Sequence, residues 1–143
     1  MSFDLKIQSG DLVVVQGQLK QVIDSEKLIQ DVLKICLTPV GSNPSHPWYG
    51  SYLSRTMVGN PNYDSMIIQI AKSQLNSSLE NIKTLQEGQI KSFQKVTADE
   101  LLGAISNLSI VRNQIDLRLF DIRIAILTKG SKPVTTNFRV STI

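Results

Sequence analysis

Hydrophobic residues alternate with polar ones at the start of the chain: Phe3, Leu5 and Ile7 share one phase, which predicts a short strand. Ser9-Gly10 reads as a turn, "DLVVVQ" as a second strand, Gly17-Gln18 as another turn, and "LKQV" as a third strand. Three short strands in a meander cannot form a core alone, so they need a partner surface.

The pattern then changes period. Asp24 suits a helix N-cap, with Glu26 in the first turn, and Leu28, Ile29, Val32, Leu33 and Cys36 recur at helical spacing. Thr38-Pro39 stops that helix, because proline disfavours an α conformation in the residue before it. "SYLSRTM" predicts a brief helix after the loop that follows. "GNPNYD" predicts a restart, with Asn60 as N-cap, Pro61 at the first helical position and Asp64 in the first turn. Ile67, Ala71, Leu75, Leu79 and Ile82 form the stripe of a long amphipathic helix, widened by Met66, Ile70, Ser78 and Leu85, with a break expected near Gly88. Thr97 to Glu100 matches a capping box, which predicts a short helix through Leu101, Leu102 and Ile105.

From Asn107 the period becomes two. Leu117 and Leu119 share one phase, while Phe120, Ile122, Ile124 and Ile126 share the other, so a bulge or bend is expected at Leu119-Phe120. "TKGSKP" is a turn, and Val134, Thr136, Phe138 and Val140 form the inward side of a returning strand. The fold class is therefore α+β: N-terminal short strands, a helical middle with one long amphipathic helix, and a C-terminal antiparallel hairpin in a small sheet. One domain over residues 1–143 is expected, with no internal repeat.

Composition narrows the chemistry. Charged residues are 19% of the chain, a low share that suits a subunit packed among neighbours. The net charge is +3, and the segment from Ile110 to Ile143 holds six basic residues against two acids. These charges are isolated among apolar residues rather than run together, so a sheet surface accounts for them better than a nucleic-acid site. One cysteine and one histidine exclude an internal disulfide and leave no cysteine/histidine zinc set. No apolar run reaches membrane-span length, and a soluble protein in a reducing compartment is expected.

Candidate nucleophiles are few. Cys36 lies on an apolar helix face, where a thiol is inert, and His46 lies between Pro44 and Pro47. Glu26 and Glu100 have capping explanations, Glu80 and Glu87 lie off the long helix's stripe, and no carboxylate is marked as sitting in an apolar pocket. The loop "TPVGSNPSHPWYGS" lacks a phosphate-binding pattern, and its prolines remove the donors a phosphate needs. Trp48 and Tyr49 could stack on a base or plug a gap between helix and sheet; the plug fits a stiff corner better. No catalytic, cofactor-binding or metal-binding residue is expected.

The stretch "LIQDVLKICLTPVGSNPSHPWYGSYL", followed by a long helix and a terminal hairpin, resembles the baseplate wedge proteins of contractile-tailed phages. These are the sheath-initiator family, related to the phage lysozyme-like wedge component and its type VI secretion counterpart. The resemblance runs from Ser25 to the chain's end and is most specific at "LTPxG" and at Tyr49-Gly50-Ser51-Tyr52-Leu53. Many members carry Gly-Glu-Arg where this chain has Gly41-Ser42-Asn43, so any role of that pair does not transfer. The family's Glu-Pro-Arg motif has its nearest match in Asp116-Leu117-Arg118, with the acid shortened and the proline missing.

The resemblance implies a structural, non-enzymatic subunit of the tail baseplate in the virion, assembled in the host cytoplasm. Its implied partners are other wedge subunits and their helical core bundle, met at Asp116, Arg118, Trp48 and Tyr49. The tail sheath protein would add strands beside Val134, Thr136, Phe138 and Val140; tube or hub proteins are further candidates. Nucleic acid and membrane are not expected partners, nor is a cofactor. A peptidoglycan hydrolase associated with the tail is the alternative function.

Overall fold

A computed structural model describes residues 2–59 and 63–141. Asn60 and Pro61, where a helix start is expected, lie outside the described residues; the helix that follows begins at Asp64 with Tyr63 as its N-cap.

The N-terminal segment is more finely divided than a three-strand meander. It holds six two-residue strands: β1 (Asp4–Leu5), β2 (Ile7–Gln8), β3 (Asp11–Leu12), β4 (Val14–Val15), β5 (Gln18–Leu19) and β6 (Gln21–Val22). They pair β1 with β6, β2 with β3 and β4 with β5, all antiparallel. The three ribbons meet at Lys6, Val13 and Lys20, whose main chains bond in a closed triangle: Lys6 N to Lys20 O, Val13 N to Lys6 O and Lys20 N to Val13 O, at 2.8, 3.1 and 2.9 Å. Two turn-and-strand units recur seven residues apart, Ile7–Val13 and Val14–Lys20, a short echo that the sequence pattern hides. Each turns through a residue pair with positive φ, Ser9-Gly10 (55°, 82°) and Gln16-Gly17 (51°, 77°), the I′ geometry that matches strand twist. The second turn thus falls one residue earlier than expected.

A buried glutamine and a neighbouring lysine fasten this clover to the rest of the chain. Buried Gln30 on helix α1 (Asp24–Leu37) donates to Asp4 Oδ2 and Leu5 O, each at 2.8 Å, and accepts from Ile7 N at 2.9 Å. Lys34 adds an ion pair to Asp4. Burial pushes the Asp4 carboxyl up, but hydrogen bonds from Lys34 and Gln30 outweigh it and hold it below the usual range.

Helix α1 buries Leu28, Val32, Ile35 and Cys36, and ends at Thr38, whose N–H bonds Lys34 O. The N-cap is Ile23 rather than Asp24; the Asp24 carboxylate instead accepts from the Thr97 hydroxyl at 2.7 Å, tying α1 to a distant turn. Helix α2 (Leu53–Met57) follows the loop as expected. Helix α3 spans Asp64–Lys91 without a break at Gly88, and its buried stripe is Ile67, Ala71, Leu75, Ser78, Leu79 and Ile82. Met66 and Ile70, expected to widen that stripe, are exposed.

The Thr97 capping box forms, but only a 3-10 turn, Ala98–Glu100, comes from it. Leu102, expected in a helix, starts strand β7 (Leu102–Arg112), which takes in Ile105 as well. Gly103 is a poor helix residue, and pairing with β8 (Leu119–Thr128) decides the segment. Strand β9 (Pro133–Ser141) completes a three-stranded antiparallel sheet of order β7-β8-β9. The expected bulge at Leu119-Phe120 is absent: β8 begins at Leu119, so Leu117 belongs to the preceding turn and the two phases never share a strand. The register shifts lie instead on β7, between Leu102 and Ala104 and between Ile105 and Asn107.

The helices cover one face of this sheet. Phe120, Ile122, Ile124 and Ile126 are buried and join the stripes of α1 and α3 in one core. Asp121, Arg123, Thr135, Asn137 and Arg139 lie in the opposite phase, on the uncovered face.

Candidate functional site

The outer flank of β9 meets no other strand among the described residues, and its nine register pairs with β8 run from Leu127↔Pro133 to Leu119↔Ser141 without a shift. The hydrogen bond from Thr128 N to Lys132 O, 3.0 Å, sets the alternation. Counting from that bonded pair in steps of two, Val134, Thr136, Phe138 and Val140 direct N–H and C=O towards β8. The main-chain groups of Thr135, Asn137 and Arg139 therefore point away from β8, to the open flank. Pro133, in the same phase, lacks an N–H where no ladder bond is lost.

This arrangement changes what each expected site residue can do. Val134 and Thr136 are buried, Phe138 and Val140 half-buried; their side chains face the helices and their amides serve β8. An added strand would meet the main chain of Thr135, Asn137 and Arg139 instead. Sequence reasoning missed these three, although the inward phase of Val134, Thr136 and Phe138 already implied them.

At one end of the sheet, Asp116 and Arg118 bond each other. Asp116 Oδ1 accepts from Arg118 N and Nε, and Oδ2 accepts from Nη2, all at 3.0 Å. The guanidinium holds the Asp116 carboxyl below the usual carboxylate range. Beside them Arg112 grips the Asp64 carboxylate with two bonds of 2.7 and 2.8 Å, donates to the Leu117 carbonyl, and stacks over the Phe120 ring at 4.5 Å.

The loop Thr38–Ser51 is a stiff corner. It closes through Val40 N to Ser51 O at 3.2 Å and Ser51 N to Thr38 O at 2.8 Å, with Gly41 N on Pro47 O at 3.0 Å. Gly50 has φ 120°, and a Cβ there would stand 2.4 Å from the Thr38 carbonyl, so no other residue fits. The two aromatics diverge: half-buried Tyr49 packs on the core, whereas Trp48 is 43% exposed and meets the His46 ring edge-on. Only Tyr49 acts as the plug.

The reactive candidates are engaged elsewhere. Cys36 is buried, and burial pushes its thiol up to about 12. Buried Glu100 accepts from Ser2 N at 3.1 Å and Thr97 N at 2.8 Å, one on each oxygen. Among the described residues no three metal-ligating side chains come together, and no helix is long and apolar enough to cross a membrane.

A solved structure shares the fold over most of the chain. A Geobacter sulfurreducens protein designated a candidate tail lysozyme matches with a TM-score of 0.59 at 10% identity, over 82% of this chain and 90% of the other. At that identity the likeness establishes a shared fold. No protein-family model and no curated protein matches the chain.

Proposed function

We propose that this chain is a non-enzymatic structural subunit of a contractile phage tail baseplate, which joins wedge subunits and starts the sheath by accepting a sheath strand along β9. The observation that carries the reading is the unbroken open flank of β9, with the Thr135, Asn137 and Arg139 main chains directed into it. Strand addition of this kind takes its affinity from main-chain hydrogen bonds. The shared fold with a tail-designated protein supports the tail setting, and the stiff corner at Thr38–Ser51 offers the wedge contact through exposed Trp48.

The test is Asn137→Pro, which removes an outward N–H while leaving every bond to β8. Tails carrying it should assemble baseplates but no sheath; sheaths of normal length would refute the reading.

A peptidoglycan hydrolase is the second reading, favoured by the designation of the Geobacter protein. Against it stand the engagement of both Glu100 oxygens by main-chain N–H groups and the burial of Cys36. Clearing of a peptidoglycan suspension by the purified chain, lost in Glu100→Gln at unchanged stability, would favour the hydrolase.

A further inference from the structure

We infer that the strand accepted along β9 carries an acidic residue beside Asn137, met by Arg123 and Arg139, and a small apolar residue three positions away, seated beside Val140 in a pocket under the sheet edge. The inference rests on the strand-addition reading above. It supplies what main-chain bonding alone lacks, a means of choosing one strand over another.

The acidic preference comes from the uncovered face of the sheet. Ser109, Arg123 and Asn137 stand in one row across the three strands, and Val111, Asp121 and Arg139 in the next row on that face. The two rows line a shallow groove of about 550 Å³. Arg139 bonds Asp121 through Nε at 2.7 Å, and Arg123 has no bonded or charged partner among the described residues. Two guanidiniums therefore face one carboxylate. A side chain placed beside Asn137 by an added strand lies on this same face, because opposed residues of paired strands share a side. Arg139 is then its diagonal neighbour, and Arg123 lies two strands away, about 10 Å between Cα atoms, a span that an arginine and a glutamate bridge. An acid there meets both guanidiniums, whereas a lysine is repelled.

The apolar preference comes from the covered face. Val140 is half-buried while its β8 partner Phe120 is fully buried, so Val140 is open on the flank side. There it walls a pocket of about 70 Å³ with Leu37, Pro39, Leu53 and Ser54, where the end of α1 and the start of α2 pack against β9. A side chain beside Val140 on an added strand points into this pocket and covers Leu37, which is 57% exposed. The volume takes an alanine or a valine and excludes an aromatic ring. Asn137 and Val140 are three positions apart, an odd spacing that puts the acid and the apolar residue on opposite faces of one strand.

The experiment uses tails assembled with the full chain. Arg123→Glu, and Ser54→Leu, which fills the pocket from α2, should each lower the fraction of sheathed tails at least about tenfold at unchanged thermal stability of the purified chain. Arg123→Gln, which removes the charge without reversing it, should give a smaller loss. Lys95→Glu, the same charge change on the exposed segment after α3, should leave sheathing unchanged. Sheath variants that restore Arg123→Glu should exchange an aspartate or glutamate for a neutral or basic residue. Those that restore Ser54→Leu should shrink an apolar residue three positions from it. Normal sheathing in both Arg123→Glu and Ser54→Leu, with Asn137→Pro still blocking it, overturns the inference and keeps the strand reading. Normal sheathing in Asn137→Pro overturns both. A Lys95→Glu defect as large as that of Arg123→Glu, or restoring changes confined to proteins other than the sheath, also overturns the inference.

Discussion

The two outer strands of the sheet share a neighbour and little else. β7 is interrupted twice, at Gly103 and Ser106, and keeps a regular run only from Asn107 to Arg112; the Ser106 hydroxyl donates to the Ala125 carbonyl at 2.9 Å across the second irregularity. β9 runs in register from Pro133 to Ser141. Bulges twist a flank away from incoming chains, and a regular flank invites them. The difference teaches that openness here is local: the sheet protects part of one side and leaves the other available.

The largest effect comes from breaking the strand both flanks depend on. Phe120→Ala empties a fully buried ring site on β8 and should cost about 4 kcal/mol in urea denaturation, disordering both sides together. Next is Thr136→Pro, which removes an N–H that serves β8 in a buried position; a loss of about 3 kcal/mol is expected. Asn137→Pro, one residue on, should cost at most about 1 kcal/mol, because its N–H points outward. Equal costs for the two prolines would show that the assigned alternation is wrong.

The smallest effect sharpens the β7 side. Arg112→Ala gives up the Asp64 clasp and the stacking on Phe120, and should cost about 1 kcal/mol at pH 7. The Arg112 hydrogen bonds hold the Asp64 carboxyl below its usual value, with burial opposing them. A depressed carboxyl stabilises the fold above its unfolded pKa, about 4, and loses that contribution as pH falls through its folded value. The gap between wild type and Arg112→Ala should therefore be full at pH 7 and shrink below about pH 4 in parallel denaturation curves.

Much of this was readable from local pattern. The stripes of α1 and α3, the stop at Pro39, the Thr97 capping box and the inward phase of β9 depend on neighbours in the chain, and all appear in the structure. Leu101, Leu102 and Ile105 misled because their spacing fits a helix; the competing partner, β8, lies some twenty residues away. The clover was invisible for the same reason, since its triangle joins Lys6, Val13 and Lys20 through the main chain. For the candidate site, residue types gave the strand but not its open side, because which amides face outward depends on one turn bond, Thr128 to Lys132.

Gln30 gathers three of the amino-terminal clover's anchoring bonds onto a single amide group, beside the Lys34 pair to Asp4 and the Ser2 bond to Glu100. Such a hinge pin lets the clover come loose as a unit while the helices and sheet stay shut, so a protease given brief access should nick the chain ahead of Asp24 and leave a trimmed but intact remainder.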